Sequence, residues 1–322
     1  MVDSLLEKAI YDTVRYFDLF DMPLTATQIW RCLIVDPHGR HSVRWGGHKQ
    51  AGLRDIQRVL QESVWLRGRL ARQWGFFVLP GRKGLVRERL RRHSLAQQKW
   101  KLLLAVVPVL ASLPFIRALL ASGSLAIDNT KRSSDLDLFV IVGEKRIWTA
   151  RLCLLLFTQL LGKRRTYAQV AAPDKVCLNH YVTDACLLMP VVVRNLYTAV
   201  QYTLHVPVYG AGVWQEFRAV NSSWIHAYVM APHLPHVHHA YTQGLPAWRA
   251  SLKRFLEVVM REPVFDSIEK LAKRVQLAVI AHHQRVGRIA LSDTELAFHP
   301  DTKVPGILAQ YAHGVGERQL PL

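Results

Sequence analysis

Leu5, Leu6, Ile10, Val14, Phe17 and Leu19 recur at helical intervals over residues 4–20, and the run ends at Met22-Pro23. In Thr25-Ala26-Thr27-Gln28 the glutamine follows the threonine by three positions, the spacing of a reciprocal cap, and a second helix is expected there. Asp36-Pro37-His38-Gly39 breaks it. A third helix is expected over residues 53–62, with Leu53, Ile56, Val59 and Leu60 on one side. Residues 66–80 read as a hairpin turning around Gln73-Trp74-Gly75. From residue 85 to about 111 the pattern is a long helix or two, basic first and apolar later, with Pro108 as a kink or an end.

The middle of the chain changes period. An apolar strand from Phe115 breaks at Gly123-Ser124, a polar loop follows, and a second strand starts at Asp135-Leu136-Asp137. Residues 147–161 predict an apolar helix against a sheet, ending at Gly162, and residues 175–182 predict another strand. A helix is expected to open after Pro190. The aromatic residues of 207–224 are expected to pack under a loop. In residues 245–287 two helical faces stand out, one with Trp248, Leu252, Phe255, Leu256 and Val259, the other with Ile268, Leu271, Val275, Ala278 and Val279. Both are expected to pack against the core. The tail from residue 288 has no assignable pattern, and no internal repeat is found.

Composition changes the picture in one respect. Half the residues are hydrophobic and the chain has 322 of them, which excludes a disordered polypeptide and suggests two or three domains. The formal charge of +18 is unusual, and residues 67–92 carry nine Lys or Arg against one Glu. Such a surface attracts nucleic acid, anionic lipid or polyanionic substrates, although Arg-rich codon usage would produce the same count. Cys32, Cys153, Cys177 and Cys186 lack metal or redox spacing and read as free thiols in or beside apolar runs. His233, His236, His238 and His239 are expected to form a loop around Pro235, with a transition-metal site as the alternative. The first residues have no apolar leader run, and Pro108 and Pro114 interrupt residues 102–115 well short of about 20 apolar positions. No membrane partner and a cytoplasmic location are expected.

Candidate chemistry lies in the central strands. Strand side chains alternate faces, so Asp135 and Asp137 share one side while Leu136 and Leu138 take the other. Two carboxylates at a strand end suit a hard divalent cation, Mg²⁺ or Mn²⁺. Gly123 lets backbone N–H groups approach a phosphate, and Ser124 offers a hydroxyl donor. The expected ligand is a nucleoside triphosphate. A polar hairpin whose Asp residues only cap a turn is the structural alternative.

Gly-Ser, nine intervening residues, then Ser-Asp-x-Asp-Leu entering an apolar strand resembles the signature of the nucleotidyltransferase superfamily, the fold of DNA polymerase β. The motif covers roughly 30 residues; the fold it implies, about 100 to 120. The resemblance implies metal binding by Asp135 and Asp137, nucleotide binding by Gly123 and Ser124, and transfer of an NMP from an NTP to a hydroxyl. It also implies a third carboxylate on a later strand. At that place the inward polar residue is Asn179, which can ligate a metal but cannot act as a base. His180 could replace it only from the opposite strand face, and Asp184 only if the strand bends.

Three helices followed by a hairpin also resemble a winged helix. That implies nucleic-acid contact through Arg54, Gln57, Arg58 and Gln61 on the third helix, with Arg67, Arg69, Arg72, Arg82 and Lys83 near phosphates. Protein docking is the alternative use of such a module. The expected architecture is α+β: a winged-helix-like domain over 1–92, a nucleotidyltransferase-type mixed sheet with flanking helices over 93–215, and a helical region over 216–322. A catalytically weak protein of the same fold, sensing nucleotide or binding nucleic acid, is the alternative function. Acceptor, nucleobase and oligomeric state leave no mark on the pattern.

Overall fold

Leu6, Ile10, Val14 and Phe17 are buried along one side of the first helix, α1 (Val2–Asp18), as their spacing predicts. The computed structural model describes residues 2–36, 51–166, 172–230, 240–260, 263–283, 290–298 and 303–316. The histidines at 233, 236, 238 and 239, expected in a loop, and Pro37-His38-Gly39 of the expected break lie outside them. After β1 (Leu24–Thr25), helix α2 (Ala26–Arg31) carries the expected reciprocal cap: Gln28 N donates to Thr25 Oγ1 at 3.3 Å, and Thr25 N donates to Gln28 Oε1 at 3.0 Å. Then come β2 (Leu33–Ile34), α3 (Leu53–Glu62), a single turn α4 (Val64–Arg67), and the hairpin β3 (Ala71–Gln73) and β4 (Phe76–Val78). The hairpin is shorter than expected because Ser63 Oγ accepts from Leu66 N at 3.0 Å and winds residues 64–67 into a helix. Trp74 and Gly75, at φ 50° and 81°, make its two-residue turn. The three strands pair in the order β1-β4-β3.

Helix α5 (Leu85–Ala111) runs unbroken, with Pro108 in its last turn. Its apolar side, including Trp100, Leu103, Val107 and Leu110, packs under the central sheet. Its polar side chains do something the charge count did not suggest. Arg89 donates to the carbonyls of Ile127, at 3.0 Å, and Asp128; Trp100 Nε1 donates to Asp128 Oδ1 at 2.9 Å; and Lys99 Nζ donates to Ser134 O at 2.7 Å and Asp174 Oδ1 at 2.6 Å. Part of the basic stretch is therefore buried and fixes the loop of residues 127–134.

That loop joins β5 (Ile116–Ala121) and the short α6 (Gly123–Ala126) to β6 (Leu136–Val142). There follow α7 (Ile147–Leu160), β7 (Val176–Thr183), α8 (Leu196–Leu204), β8 (Val206–Tyr209), α9 (Ala211–Tyr228), β9 (Val229–Met230), α10 (Ala247–Val259), α11 (Val264–His283), β10 (Ala290–Leu291), β11 (Glu295–Ala297) and α12 (Lys303–Gly316). Among the described residues the main sheet runs β10-β11-β7-β6-β5-β8, with β6 and β7 parallel and the other pairs antiparallel. It is a mixed sheet in an α+β chain. The part after 216, expected to be helical, lends β10 and β11 to this sheet, and α9 runs across position 215. Residues 211–224, read as a loop, form most of α9 with Trp214, Phe217 and Trp224 on its buried side.

Leu119, Ala121, Leu138 and Val140 face the side of the sheet covered by α5 and α7. Ala118, Leu120, Phe139 and Ile141 face the other way, into a core continuous with α1, α2 and α3. Pairing of β2 with β9 ties the same two parts together. No helix among the described residues is long and apolar enough to cross a membrane.

Two expectations about packing are reversed in α10 and α11. Trp248, Leu252, Phe255, Ile268, Leu271 and Val275 point to solvent, while Lys253, Glu257 and Gln276 are buried. Unpaired backbone groups explain the inversion. Lys253 Nζ donates to the carbonyls of Ala111, at 2.9 Å, and Ile116; Glu257 accepts from Phe115 N at 2.7 Å; Glu269 accepts from Trp148 N and Thr149 N, each at 2.8 Å, at the start of α7.

Asn221 in α9 is buried with both ends of its amide used. Oδ1 accepts from Met189 N at 3.0 Å and Trp224 Nε1 at 2.8 Å, and Nδ2 donates to the carbonyls of Leu187 and Phe217, each at 2.8 Å. Asn221→Leu strands several of these groups, and urea denaturation is expected to register a loss of about 3 kcal/mol.

Candidate functional site

Three consecutive features bring the central motif to one face of the sheet. Ser122 N donates to Asp137 O at 3.0 Å, extending the β5–β6 ladder by one rung. Gly123 then turns the chain with φ +60°, a conformation that disfavours any residue with a side chain. A Cβ at Gly123 would stand 2.4 Å from Asp137 Oδ2, so the turn lies directly against that carboxylate. Asp135 immediately precedes β6 and Asp137 lies within it. Leu136 and Leu138 are buried on the opposite face, as strand alternation predicts.

Parallel pairing with β7 sets Cys177 beside Asp137 as its Cα partner. Ligand atoms of Asp135, Asp137 and Cys177 all lie within 4.8 Å of one another, the one such cluster of His, Cys, Asp and Glu among the described residues. Burial raises the Asp137 carboxyl well above the usual carboxylate range, the neighbouring Asp135 raises it further, and hydrogen bonds from Cys177 and Asn179 act in the opposite sense. Burial also pushes the Cys177 thiol far up, with the two carboxylates adding to the effect. The cluster offers two carboxylates, which are hard oxygen donors, against a single sulfur. This set fits a hard cation better than a thiolate-seeking one.

Arg165, from the basic run after α7, forms an ion pair with Asp135 and reaches Cys177 Sγ at 3.5 Å. It is the cation now beside the carboxylates.

Between Cys177 and His180 the register with β6 slips by one residue. Such a bulge turns neighbouring side chains toward the same side. Asn179 hydrogen-bonds Asp137, and His180 meets the Phe139 ring edge-on at 4.8 Å. The expectation that His180 would face away is corrected by that one extra residue. His180 Nε2 lies 3.1 Å from Oε1 of Glu295, a β11 carboxylate that sequence reasoning missed altogether. Asp184 is held elsewhere, accepting from Glu144 N at 2.8 Å and Arg117 Nε at 3.3 Å.

These groups line one cavity of about 840 Å³. Gly123, Asp135, Asp137, Cys177, Asn179 and Arg165 belong to its wall, as do His180 and Glu295. Arg151 and Arg164 add positive charge, and Tyr197 and Gln201 contribute from α8. Ser124 is not part of the lining. Ser122 is, with Oγ 3.0 Å from His205 Nε2 and accepting from Gln201 Nε2 at 3.4 Å.

On the N-terminal part, Arg54, Gln57, Arg58 and Gln61 are exposed along α3, and Arg67, Arg69, Arg72 and Lys83 are exposed near the hairpin. Arg82 is engaged by Asp18 at 3.0 Å and Asp21 at 2.7 Å, which removes it from the expected phosphate contacts. A scan against protein-family models, a search of curated proteins and a search of solved structures each returned no match to the chain.

Proposed function

We propose that the chain is a nucleotidyltransferase, moving an NMP from an NTP to a hydroxyl acceptor. The observation that carries this reading is the close approach of the Gly123 turn to the Asp137 carboxylate, which joins a glycine turn and a carboxylate pair in one cavity. Asp135 and Asp137 would hold Mg²⁺ or Mn²⁺. Bound there, the ion would neutralise charge on the phosphates.

The chain's own residues supply the rest. Gly123 lies in the cavity wall, where its backbone would be the phosphate contact, and Arg151, Arg164 and Arg165 add cationic partners for a triphosphate. Asn179 holds Asp137 in place. The acceptor oxygen forms a bond to the α-phosphorus and gives up its proton to water, while the bond to the bridging oxygen breaks and pyrophosphate leaves with the electron pair. Tyr197 and Gln201 line the same cavity from α8 and suit contact with the acceptor.

A second reading has its own observation. Arg165 already sits on Asp135, and Asn179 and Cys177 take the places next to Asp137 where the superfamily resemblance implies a carboxylate. This arrangement suits nucleotide sensing without turnover. The N-terminal order of helix, strand, helix, strand, two helices and a hairpin, with sheet order β1-β4-β3, resembles a winged helix, and its exposed basic residues suit nucleic acid. Release of labelled pyrophosphate from each NTP with Mg²⁺ or Mn²⁺ separates the two readings: turnover supports transfer, and metal-dependent binding without turnover supports sensing.

Arg165 gives a prediction with two signs. A partly exposed ion pair is worth about 1 kcal/mol, so Arg165→Gln is expected to tighten Mn²⁺ binding roughly fivefold and to weaken NTP binding by a similar factor. Isothermal titration with each ligand alone reads both.

A further inference from the structure

Part of the wall of the candidate cavity is apolar. Pro190, Val192 and Val193 line it just before α8, and Val304, Pro305 and Leu308 line it from the first turns of α12, which packs against α8. Val193 and Leu308 also pack against one core with Leu196, Ala199 and Val200 of α8, so the three segments are continuous. Val192 is 63% exposed although it borders the cavity, and a bound molecule would cover it. At about 840 Å³ the cavity is near the upper end of the roughly 300–1,000 Å³ typical of ligand pockets, which leaves room beside a nucleotide.

The polar groups that α8 brings to this wall are mostly bonded within the chain. Asn195 Oδ1 accepts from Thr198 N at 3.0 Å, and its Nδ2 donates to Val193 O at 3.3 Å. Thr198 Oγ1 donates to the same carbonyl at 2.6 Å and accepts from Asn195 N at 3.1 Å. Both side chains serve the start of α8 and offer little to a ligand. Gln201 Nε2 donates to Ser122 Oγ, and His180 is paired with Glu295. Tyr197 Oη and Gln201 Oε1 are left for a hydroxyl group in the cavity.

Resting on the nucleotidyltransferase reading, we propose that the acceptor is an alcohol with an apolar body and a single hydroxyl. Its body covers the apolar side chains before α8 and on α12, which removes them from water, and its hydroxyl meets Tyr197 and Gln201. A sugar or the end of a nucleic acid brings further hydroxyls or phosphates against Val192, Val193 and Leu308. Each such group, buried without a partner, costs free energy. Transfer joins the alcohol oxygen to the α-phosphorus, passes the hydroxyl proton to water and releases pyrophosphate with the electron pair, leaving an NMP ester of the alcohol.

The test uses the full chain with 1-hexanol, 1-octanol and glucose, titrated by saturation-transfer NMR. Each buried methylene multiplies affinity about fourfold, so 1-octanol is expected to bind roughly fifteenfold more tightly than 1-hexanol, and glucose to show no saturation. Val192→Asn/Val304→Asn should weaken 1-octanol at least fivefold, with the circular dichroism spectrum and Mn²⁺ binding unchanged. With NTP and Mg²⁺ added, 1-octanol should keep its affinity, and mass spectrometry should find its NMP ester and no ester of glucose. Octanol binding that the double variant leaves intact, or a glucose ester formed in preference, overturns the inference. Octanol binding that NTP abolishes does so too, since the apolar wall then holds the nucleobase. Absence of pyrophosphate release with NTP and octanol both bound sinks the transferase reading, and the acceptor role with it, while the octanol titrations still mark an apolar subsite.

Discussion

Asp135→Ala/Asp137→Ala is expected to abolish metal-dependent NTP binding and to lower nucleotide transfer by about three orders of magnitude, because both oxygen donors of the proposed metal centre leave together. A ligand at 100 times its Kd stabilises the native state by about 2.7 kcal/mol, so the wild-type protein should melt several degrees higher with NTP and Mg²⁺ than without. In the double variant that shift should vanish. Its unliganded melting temperature should stay near that of wild type. Burial raises the proton affinity of Asp137, and Asp135 raises it further, so the Asp137 carboxylate is held in the fold against an electrostatic cost and is not a source of stability. A metal-dependent shift that survives the double substitution would sink the assignment of the centre to these carboxylates. Loss of the shift together with a large drop in unliganded stability would mark Asp135 and Asp137 as structural.

Residue identity and spacing reveal some parts of this molecule and conceal others, for physical reasons. The Thr25 cap, the extent of α3, the strand with alternating Asp137 and Leu138 and the break at Gly123 all depend on neighbours within a few residues, and they form where the pattern predicts. Register does not. Cys177 reads as an ordinary buried thiol until parallel pairing sets it beside Asp137, and the bulge that brings His180 to the cavity is one residue of slip between distant strands. Glu295 lies 115 positions from His180 on a three-residue strand too short to have a period. Periodicity also identifies which residues share a helix face without saying whether that face points inward. For α10 and α11 the answer is set by the backbone groups at Ala111, Phe115, Ile116, Trp148 and Thr149, whose partners are Lys253, Glu257 and Glu269.

Gly123→Ala separates a backbone requirement from a site requirement when set against Gly75→Ala. Both glycines have positive φ, at +60° and +81°, and an alanine in either pays roughly 1–2 kcal/mol in the left-handed region. At Gly75 nothing lies within 4 Å of the added Cβ, whereas at Gly123 the Asp137 carboxylate is in the way. Asp137 cannot simply swing aside, since Cys177 and Asn179 both bond to it. Gly75→Ala is therefore expected to lower the melting temperature by a few degrees and leave Mn²⁺ and NTP binding unchanged. Gly123→Ala should lower it further and weaken both ligands roughly a hundredfold, because turn and carboxylate can no longer occupy their present positions together. Titration of each variant with Mn²⁺ alone and then with NTP distinguishes the cases. Equal losses of stability with intact binding in both variants would show that the Gly123 turn serves the fold only, and the contact with Asp137 would then carry no functional argument.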